Sequence, residues 1–359
     1  MKLRDLSLLL VLCPATPAFA AAFCVGTAAE LSAALATAAT NNQDDGIRIR
    51  LGTYPIVNGN RFEVLAENGR SLDISGGWVS SGGNCNLLIG QPDDTVLTAQ
   101  QQAGEQVLRV RSGNGVTGSV SLRNLSLIDG RGLGANAGCA NVETGSGAST
   151  ITLDRLAFSG CHNAQTISYG AMSVTHLGSG EVVVRNSVYT NNTSTSGPAI
   201  SLYVNGIVGQ SNLRFYNNTV VGNAPVQTGN VAAGVRVDAL DGNVELYNNV
   251  IVGNGLANQP DLLVVGNSAH ITDNVLSKLW SGSPQVGGTH IVIGGWQTLF
   301  ASYPSDLRPG PSSQLRDEGS DLNLSYSGVN DHAGAARVQG PRIDVGAFEF
   351  EMLFRNGFE

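Results

Sequence analysis

A short segment recurs along the chain at one fixed spacing. The two clearest copies begin at Asn217 and Asn248 and read Asn-Asn-Thr-Val-Val-Gly-Asn and Asn-Asn-Val-Ile-Val-Gly-Asn, so the period is 248 − 217 = 31. Four further copies place a residue at the same position: Asn124, Arg155, Asn186 and, after a shorter step, Asp273. A repeat of this length is typical of a solenoid, an array or a propeller, so it limits the fold before any other feature.

Apolar and polar side chains alternate around each repeated position. Leu213 and Phe215 precede Asn217 with a period of two, which indicates a strand with one buried face. Val220 belongs to a second short strand after the bend, and Gly234–Val237 is one of several further runs between copies. About three short strands and three bends in each unit predict one coil of a parallel β-helix, with coils stacked about 4.8 Å apart around a shared core.

Two other repeat architectures do not fit this pattern. A propeller blade needs about four longer antiparallel strands, and a leucine-rich repeat needs its leucine pattern followed by a helix. Asn suits the bend of a β-helix because its short amide tolerates left-handed backbone and bonds to nearby backbone groups. In register, such side chains would form two ladders, one through Asn186, Asn217 and Asn248, the other through Asn192, Asn223 and Asn254.

The composition supports an all-β fold and argues against one class of partner. Gly accounts for 46 of the 359 residues, charged residues for only 13%, and lysine occurs twice, so the chain is not predicted to be helical. The net charge of −8 is spread without runs, whereas nucleic acid requires a basic stripe. A solenoid grows in one dimension, so we expect one long domain and a monomer.

The N-terminus has the pattern of an export signal over residues 1–20. Lys2 and Arg4 precede the apolar run Leu6–Leu12, and Ala18-Phe19-Ala20 matches a cleavage site. A lipoprotein signal at Cys13 fits less well because Leu12 stands where a small residue is expected. The mature chain then has no transmembrane segment. We expect an extracellular or outer-surface location, with the periplasm as the alternative.

Removal of the signal leaves four cysteines, and an even number in an exported chain predicts disulfide bonds. Of the three pairings that four cysteines allow, Cys24–Cys85 and Cys139–Cys161 are preferred because each joins residues of one local region. A metal site is the alternative, but the spacing that metal sites typically show is missing.

The predicted domain over residues 21–296 begins with a helix and contains its clear repeats over residues 120–276. The helix spans Thr27–Asn41, with Thr27 and Glu30 spaced as a capping box, and would cover the open first coil. Residues 297–351 form a C-terminal capping segment, in which Asp344 and Glu349 pair with Arg337 or Arg342 over the last coil. Residues 352–359 form a short tail.

Several segments resemble one group of proteins. Ile47–Tyr54 looks like the opening of pectin-lyase-like right-handed β-helix proteins, and Ile74–Cys85 is similar to an early coil of exported bacterial ones. Asp344–Glu349 resembles the closing motif of the bacterial choice-of-anchor Q group, and Pro311–Gly319 resembles a degraded copy of its preceding segment. Phe354–Glu359 is similar to short tails on exported proteobacterial proteins. The resemblance implies a right-handed helix and a surface location, and it specifies no activity.

The register predicts which side chains share an outward stripe. Tyr216 over Tyr247, flanked by Arg185, Arg214 and Glu245, is the predicted ligand-binding strip, because aromatic faces beside charged groups suit sugar rings. Enzymes of the resembled fold commonly hold polysaccharide along such a face. The alternative is structural: stacked tyrosines and cross-strand ion pairs, each contributing about 0.2–1 kcal/mol.

The sequence gives less support to a catalytic site than to the ligand-binding strip. Asp238 and Asp241 are near in sequence, with Glu245 on the following strand, and would supply the carboxylates of a glycoside hydrolase, although Gly242 suggests that Asp241 lies in a turn. Lys278 is the one lysine left in the mature chain as a lyase base, and calcium would be a cofactor only for a lyase.

The leading hypothesis is therefore an exported, non-catalytic binding or adhesion protein that contacts a polysaccharide or another envelope component. A polysaccharide lyase or glycoside hydrolase is the alternative. A spacer that binds another protein is the third hypothesis.

Overall fold

The computed structural model describes residues 21–350 except 67–68, 114, 116, 166–167, 207–208, 226–231, 257–258, 282–284, 288, 292–293 and 323. The predicted signal peptide and the predicted tail over residues 352–359 lie outside the described residues. The described chain is a mostly parallel β-solenoid of about 7 turns that is 7% helical. This confirms the parallel β-helix predicted from the repeat.

Parallel strands form three sides of the solenoid, and because several strands continue from one side to the next, the three sides belong to one connected sheet. Side A consists of Ala21–Val25, Asp45–Arg50, Leu72–Ser81, Gly180–Arg185, Ser211–Tyr216 and Gln285–Gly287, with parts of Val120–Ile128, Ser149–Ser159, Val235–Tyr247 and Leu262–Thr272. Side B follows the repeated position and consists of Gly52–Pro55, Thr95–Thr98, Val188–Thr190, Thr219–Val221, Val250–Val252, Val275–Leu276 and His290–Ile291, with the ends of Val120–Ile128 and Ser149–Ser159.

Side C closes each turn and consists of Phe62–Ala66, Leu108–Ser112, Ala140–Thr144, Met172–His176, Ile200–Val204 and Leu279–Ser281, with the beginnings of Val235–Tyr247 and Leu262–Thr272. Two-residue strands form a small sheet between sides B and C: Arg131–Gly132, His162–Asn163, Thr193–Ser194 and Ala224–Pro225. Antiparallel pairs join Leu72–Ser81 to Asn84–Leu88 and Phe300–Ser302 to Asp306–Pro309. The helical elements are Ala28–Ala38, Leu324–Ser327 and the 3-10 turns Pro92–Asp94 and Trp296–Leu299.

The observed register is the one that the repeat predicts. Along side A, Ile151 pairs with both Val120 and Val182, and Leu213 pairs with Val244. The last, shorter step of the repeat also stays in register on side B, where Val250 pairs with Val275. Residues one period apart therefore lie directly over one another.

The inward apolar residues of the three sides form one continuous core. Phe158 and Tyr189, one rung apart, stack there with ring centroids 5.0 Å apart and are almost fully buried. Burial of a side chain of this size contributes about 1.5–3 kcal/mol relative to exposure. The repeated apolar positions therefore account for most of the hydrophobic stabilisation of the coils.

The corner between sides A and B takes the left-handed conformation expected of the repeated position. The φ angles of Asn186, Asn217 and Asn248 are 50°, 53° and 56°. Their side chains do not bond to one another, however, so the first predicted ladder is wrong by one residue. The ladder runs through the next residue of each copy, where Asn218 Nδ2 donates to Asn249 Oδ1 at 3.1 Å. The left-handed residue points its amide outward, and the following residue points inward.

The second predicted ladder is present. Asn192 Nδ2 donates to Asn223 Oδ1 at 2.9 Å, and Asn223 Nδ2 donates to Asn254 Oδ1 at 2.8 Å. The ladder ends on a carboxylate, because Asp261 Oδ1 accepts from both the backbone and the side chain of Asn254 at 2.9 Å. Burial raises the pKa of Asp261 to about 6, although bonds from Asn254 oppose the shift.

This ladder end gives a pH-dependent prediction. The folded pKa of Asp261 lies above the ordinary value of 3.8, so the stability from its protonated form is fully present below pH 3.8 and is lost as the pH rises through about 6. Asp261→Asn keeps the acceptor and removes the buried charge. We expect it to raise the free energy of unfolding by about 1–2 kcal/mol at pH 8 and by less at pH 4. Urea unfolding at both pH values measures this, with Asp241→Asn as control. An equal effect at both pH values would contradict it.

The N-terminal helix and the disulfides agree with their predictions. The helix spans Ala28–Ala38, with Thr27 as the N-cap and the predicted capping box with Glu30. It buries Leu31 and Leu35 in the core beside the first strands. The structure contains both preferred disulfide bonds, Cys24–Cys85 and Cys139–Cys161.

The C-terminal region differs from its prediction. The described residues of 296–350, here called the strap, do not simply close the last coil. They lie along the side of the solenoid and accept bonds from successive corner amides, with Asn248 Nδ2 donating to Ser320 O at 3.0 Å and Asn186 Nδ2 to Ser327 O at 2.7 Å. The outward amides that do not form a ladder therefore hold the strap.

A second hydrophobic core lies between the strap and the outer surface of side B. Its members are buried residues from both, namely Val221, Val250, Val252, Val275, Leu299, Phe300, Leu315 and Val345. The repeated Thr-Val-Val and Val-Ile-Val triplets thus bury both faces of their strands. An apolar residue on the outside of a solenoid strand needs such a cover to leave water.

The closing motif attaches the strap to the solenoid. Gly346 N donates to Asn248 O at 2.7 Å, and Ala347 N donates to Thr219 Oγ1 at 3.0 Å. Gly346 has a φ of 102°, and a Cβ there would lie 2.9 Å from Thr219 Oγ1. Only glycine allows this approach, which explains the Gly-Ala step of the motif.

Candidate functional site

The strap covers part of the strip predicted for ligand binding. Tyr216 is 1% exposed, and the ring of Tyr326 lies edge-on against it at 6.1 Å. The guanidinium of Arg214 stacks over Tyr326 at 3.9 Å, and Arg185 Nη1 donates to Tyr326 O at 3.0 Å. The side chains are brought together as expected, but Tyr216 is buried beneath the strap. The outward side chains of side A therefore bind the strap at this place.

The polar groups of this strip largely bond to one another. Glu245 accepts from Tyr216 Oη and, at 3.1 Å, from Arg214 Nε, while Arg214 also pairs with Glu181. Burial, reinforced by the Glu245 carboxylate, raises the pKa of Tyr216. Tyr247 remains partly exposed at the edge of the strip. The arrangement matches the structural alternative of ion pairs and stacked rings.

The three candidate catalytic carboxylates are not brought together. Asp238 lies on side C and accepts from Arg236 Nε at 2.7 Å, whereas Glu245 lies on side A with Arg214. Asp241 lies between them within the continuous strand Val235–Tyr247, at an irregularity in the register, so its assignment to a separate turn is wrong.

A buried charged cluster ties the strap together. The Arg337 guanidinium lies 2.8 Å from Glu349 Oε1 and also donates to the carbonyls of Asp344, Gly346 and Ala347 at 3.0–3.1 Å. Burial raises the pKa of Glu349 to about 8 against the attraction of Arg337. The predicted partner of the closing motif is therefore Arg337, while Arg342 is exposed.

Further carboxylates of the strap bind backbone amides. Asp344 accepts from the amides of Asp317 and Phe350 at 2.6 Å, and Asp331 accepts from Ala335 and Glu349 at 2.8 and 2.9 Å. Burial raises the pKa of both carboxyls. In the part of the chain that the structure describes, no group of three or more His, Cys, Asp or Glu residues could hold a metal ion.

Side C presents a different surface, here called the open face, formed by the outward residues of its strands. The contacts of the strap described above go to sides A and B. The polar and aromatic residues that define the open face are Glu63, Arg109, Arg111, Asn141, Glu143, Ser173, Thr175, Ser201, Tyr203, Arg236 and Asp238. Leu65 and Val265 lie at register positions of the same face and are exposed apolar residues. Strand alternation directs these side chains away from the core, since their neighbours in sequence are buried in it. Asn141, Ser173 and Ser201 are nevertheless buried, so the accessible parts of the face lie toward its two ends.

One end of the open face is a charged network. Glu143 accepts from Arg109 at 3.2 Å and from Arg111 at 2.9 Å, and Arg109 also lies 3.9 Å from Glu63. The side chain of Arg111 is 43% exposed, so it keeps donors in water. These pairs are partly solvated and contribute little to stability, about 0–1 kcal/mol each.

The other end of the open face combines an aromatic ring with an ion pair. Tyr203 lies between Thr175 on one rung and Asp238 on the next, and it is partly exposed. Arg236 holds Asp238 at 2.7 Å while 40% of the arginine side chain stays exposed. An aromatic ring beside charged donors and acceptors is the combination predicted for the strip around Tyr216. On the open face, this combination is partly exposed to solvent.

Sequence reasoning missed the open face. The signal for it was present as outward polar residues between apolar ones in each third strand, but these strands do not keep the period of the other two sides. Arg109, Asn141, Ser173, Ser201 and Arg236 are successive register partners, yet the steps between them along the sequence are unequal.

Two observations bear on location and relationship. No helix among the described residues has the length and apolar character needed to cross a membrane. Comparisons with protein-family models, with curated proteins and with solved structures find no match for this chain.

Proposed function

We propose that this chain is an exported binding protein that holds a linear polysaccharide of the cell envelope along the open face. The observation that carries the proposal is the row of polar, charged and aromatic side chains from Glu63 to Asp238 on one parallel sheet. Asn141, Ser173 and Ser201 within this row are buried, and the other members are partly or fully exposed. Rungs about 4.8 Å apart repeat donors and acceptors at a spacing that an extended polymer can follow.

The chemistry of the open face suits a hydroxyl-rich ligand. Arg111 and Arg236 supply donors, Asp238 and Glu143 supply acceptors, and Tyr203 supplies an apolar ring face for the C–H groups of a sugar. Hydrogen bonds to charged groups contribute about 1.5–3 kcal/mol each when they form. Several such contacts along the sheet would add up along a chain of sugars.

The proposed location follows from the N-terminal pattern, the disulfides and the resemblance to the choice-of-anchor Q group. Disulfides persist in oxidising compartments, which fits an exported protein. An extracellular or outer-surface site is where an envelope polysaccharide would be met. The proposal needs no cofactor, and calcium belongs only to the lyase alternative.

Replacement of Tyr203 and Asp238 tests this function. The double variant Tyr203→Ala, Asp238→Ala should weaken binding to polysaccharides by about tenfold to a hundredfold, because it removes the ring face and a charged acceptor. Binding to immobilised envelope and plant polysaccharides measures the effect. Tyr247→Ala, on side A at the edge of the strap, is the matched control and should bind as the wild type does.

Two results would contradict the proposal. One is unchanged binding by the double variant with loss in Tyr247→Ala, which would return the ligand to the strip first predicted. The other is the appearance of new reducing ends or unsaturated products in the same incubations, which would favour the enzyme alternative.

A further inference from the structure

A separate cleft of about 510 Å³ lies where the strap leaves the outer surface of side B. Its floor consists of Ala157, Ser159, Val188 and Thr190, which are the outward residues of two neighbouring rungs. On the following rungs the same positions hold Thr219, Val221, Val250 and Val252 under the strap. The cleft is therefore the part of this surface that the strap leaves uncovered.

Two segments form the walls of the cleft. One wall is the 3-10 turn Pro92–Asp94, and the other is the hairpin at residues 304–308 of the strap. The small floor residues Ala157 and Ser159 give the space its depth. A volume of this size is in the range of small-ligand pockets.

His332 lines the cleft, and its hydrogen bond defines which ring nitrogen carries the proton. Its Nδ1 lies 2.9 Å from Asn186 O, and a carbonyl can only accept, so Nδ1 carries the proton. His332 is 5% exposed, and burial lowers its pKa, so the ring is neutral. Nε2 is then the nitrogen left to accept from a ligand. Phe348 packs edge-on against the imidazole at 5.1 Å and is itself partly exposed to the cleft.

The charged groups of the cleft are mainly acceptors. Asp93 is exposed and accepts from Ser126 Oγ at 2.7 Å through one oxygen. Asp306 and Arg308 on the opposite wall form a pair at 2.6 Å. A carboxylate bonded to a hydroxyl rather than to an arginine, together with a neutral imidazole, disfavours anionic ligands and favours ligands rich in hydroxyl donors.

We infer that this cleft is a second binding site, for a single neutral sugar unit. Phe348 contacts the face of the sugar ring, while His332 Nε2 and Asp93 accept hydrogen bonds from the sugar hydroxyls. The hydroxyls of Ser159 and Thr190 on the floor can donate or accept. The site does not depend on the open face, since it lies on side B and uses other residues.

A floor-filling variant tests the site. Ala157→Leu places a branched side chain on the floor and leaves every hydrogen-bonding group in place. Thr152→Leu, at a partly exposed position on the same strand outside the cleft, is the matched control. The probes are neutral gluco-, manno- and galacto-oligosaccharides, compared with oligogalacturonates, in isothermal titration of the full chain.

We expect wild type and Thr152→Leu to bind at least one neutral series, and to bind the uronates at least about tenfold more weakly because of the Asp93 charge. Ala157→Leu should weaken neutral binding by about tenfold or more, and Asp93→Asn should narrow the difference between neutral and acidic sugars. Asp93 lies on an exposed turn, so Asp93→Asn should fold normally and tests the site even if Ala157→Leu folds poorly.

The inference is overturned if the wild type binds none of the neutral series. It is also overturned if Ala157→Leu retains wild-type affinity, or if uronates bind as tightly as neutral sugars. Loss of binding only in the Tyr203→Ala, Asp238→Ala variant would assign all sugar binding to the open face, and would leave the proposed function intact.

Discussion

Arg337→Met is expected to release the strap from the solenoid. The arginine donates to three strap carbonyls and lies 2.8 Å from Glu349, and it is 2% exposed. Removal of one partner of a buried ion pair costs about 3–5 kcal/mol. Of the groups left behind, Glu349 Oε1 keeps one bond from the Asp344 amide, Asp344 O keeps one from Asn217 Nδ2, and Ala347 O keeps one from the His332 amide. Since the core that the strap shares with the outer surface of side B is separate from the core inside the coils, the loss should appear as opening of the strap before the coils unfold.

Limited proteolysis with thermolysin measures this opening. The rate of cleavage within residues 296–350 should rise by more than about a hundredfold, while the coils stay resistant. Arg342→Met changes an exposed arginine of the same segment and is the control, with no expected change. If Arg337→Met leaves the cleavage rate unaltered, the buried cluster does not hold the strap.

Asn223→Ala is expected to destabilise the coils themselves by about 3–5 kcal/mol, because it leaves several buried groups without partners at about 1–3 kcal/mol each. Asn223 Oδ1 accepts from the backbone and the side chain of Asn192, and its Nδ2 donates to Tyr189 O and Asn254 Oδ1 at 2.9 and 2.8 Å. Alanine offers neither a donor nor an acceptor at this corner.

The midpoint of urea unfolding measures the loss in Asn223→Ala. Asn212→Ala is the matched control, because Asn212 accepts from Asn243 at 3.1 Å in an exposed pair one rung apart. Its cost should stay within about 0.5 kcal/mol, as for most surface substitutions. Equal costs in the two variants would show that the ladder adds nothing beyond an exposed side-chain bond.

Sides A and B could be predicted from sequence because one period fixes them both. The constant spacing of the copies sets the register, and alternation sets which residues point inward. The error in the first ladder came from a pair of identical residues, since Asn217 and Asn218 are both amides. Leu125 and Leu156, which are buried at the second position of earlier copies, were the available clue that this position faces the core.

The covering of Tyr216 could not be predicted in the same way. Alternation correctly directs Tyr216 out of the core, but a residue that points outward is exposed only if nothing folds over it. The contact comes from Tyr326, which lies much later in the chain in a segment without a repeat. The second core has the same origin, because outward Val221 and Val252 find their partners in Leu299 to Val345.

The account rests on the position of the strap, because the strap covers Tyr216 of the predicted strip, borders the cleft and makes its described contacts with sides A and B. Amide hydrogen exchange at Gly346 and Ala347 tests it most directly, since these two amides donate to Asn248 and Thr219 of the solenoid. A docked strap predicts exchange slower than in an unstructured chain by about a thousandfold or more. Exchange of both amides at unprotected rates, while the amides of the coils stay protected, would contradict it.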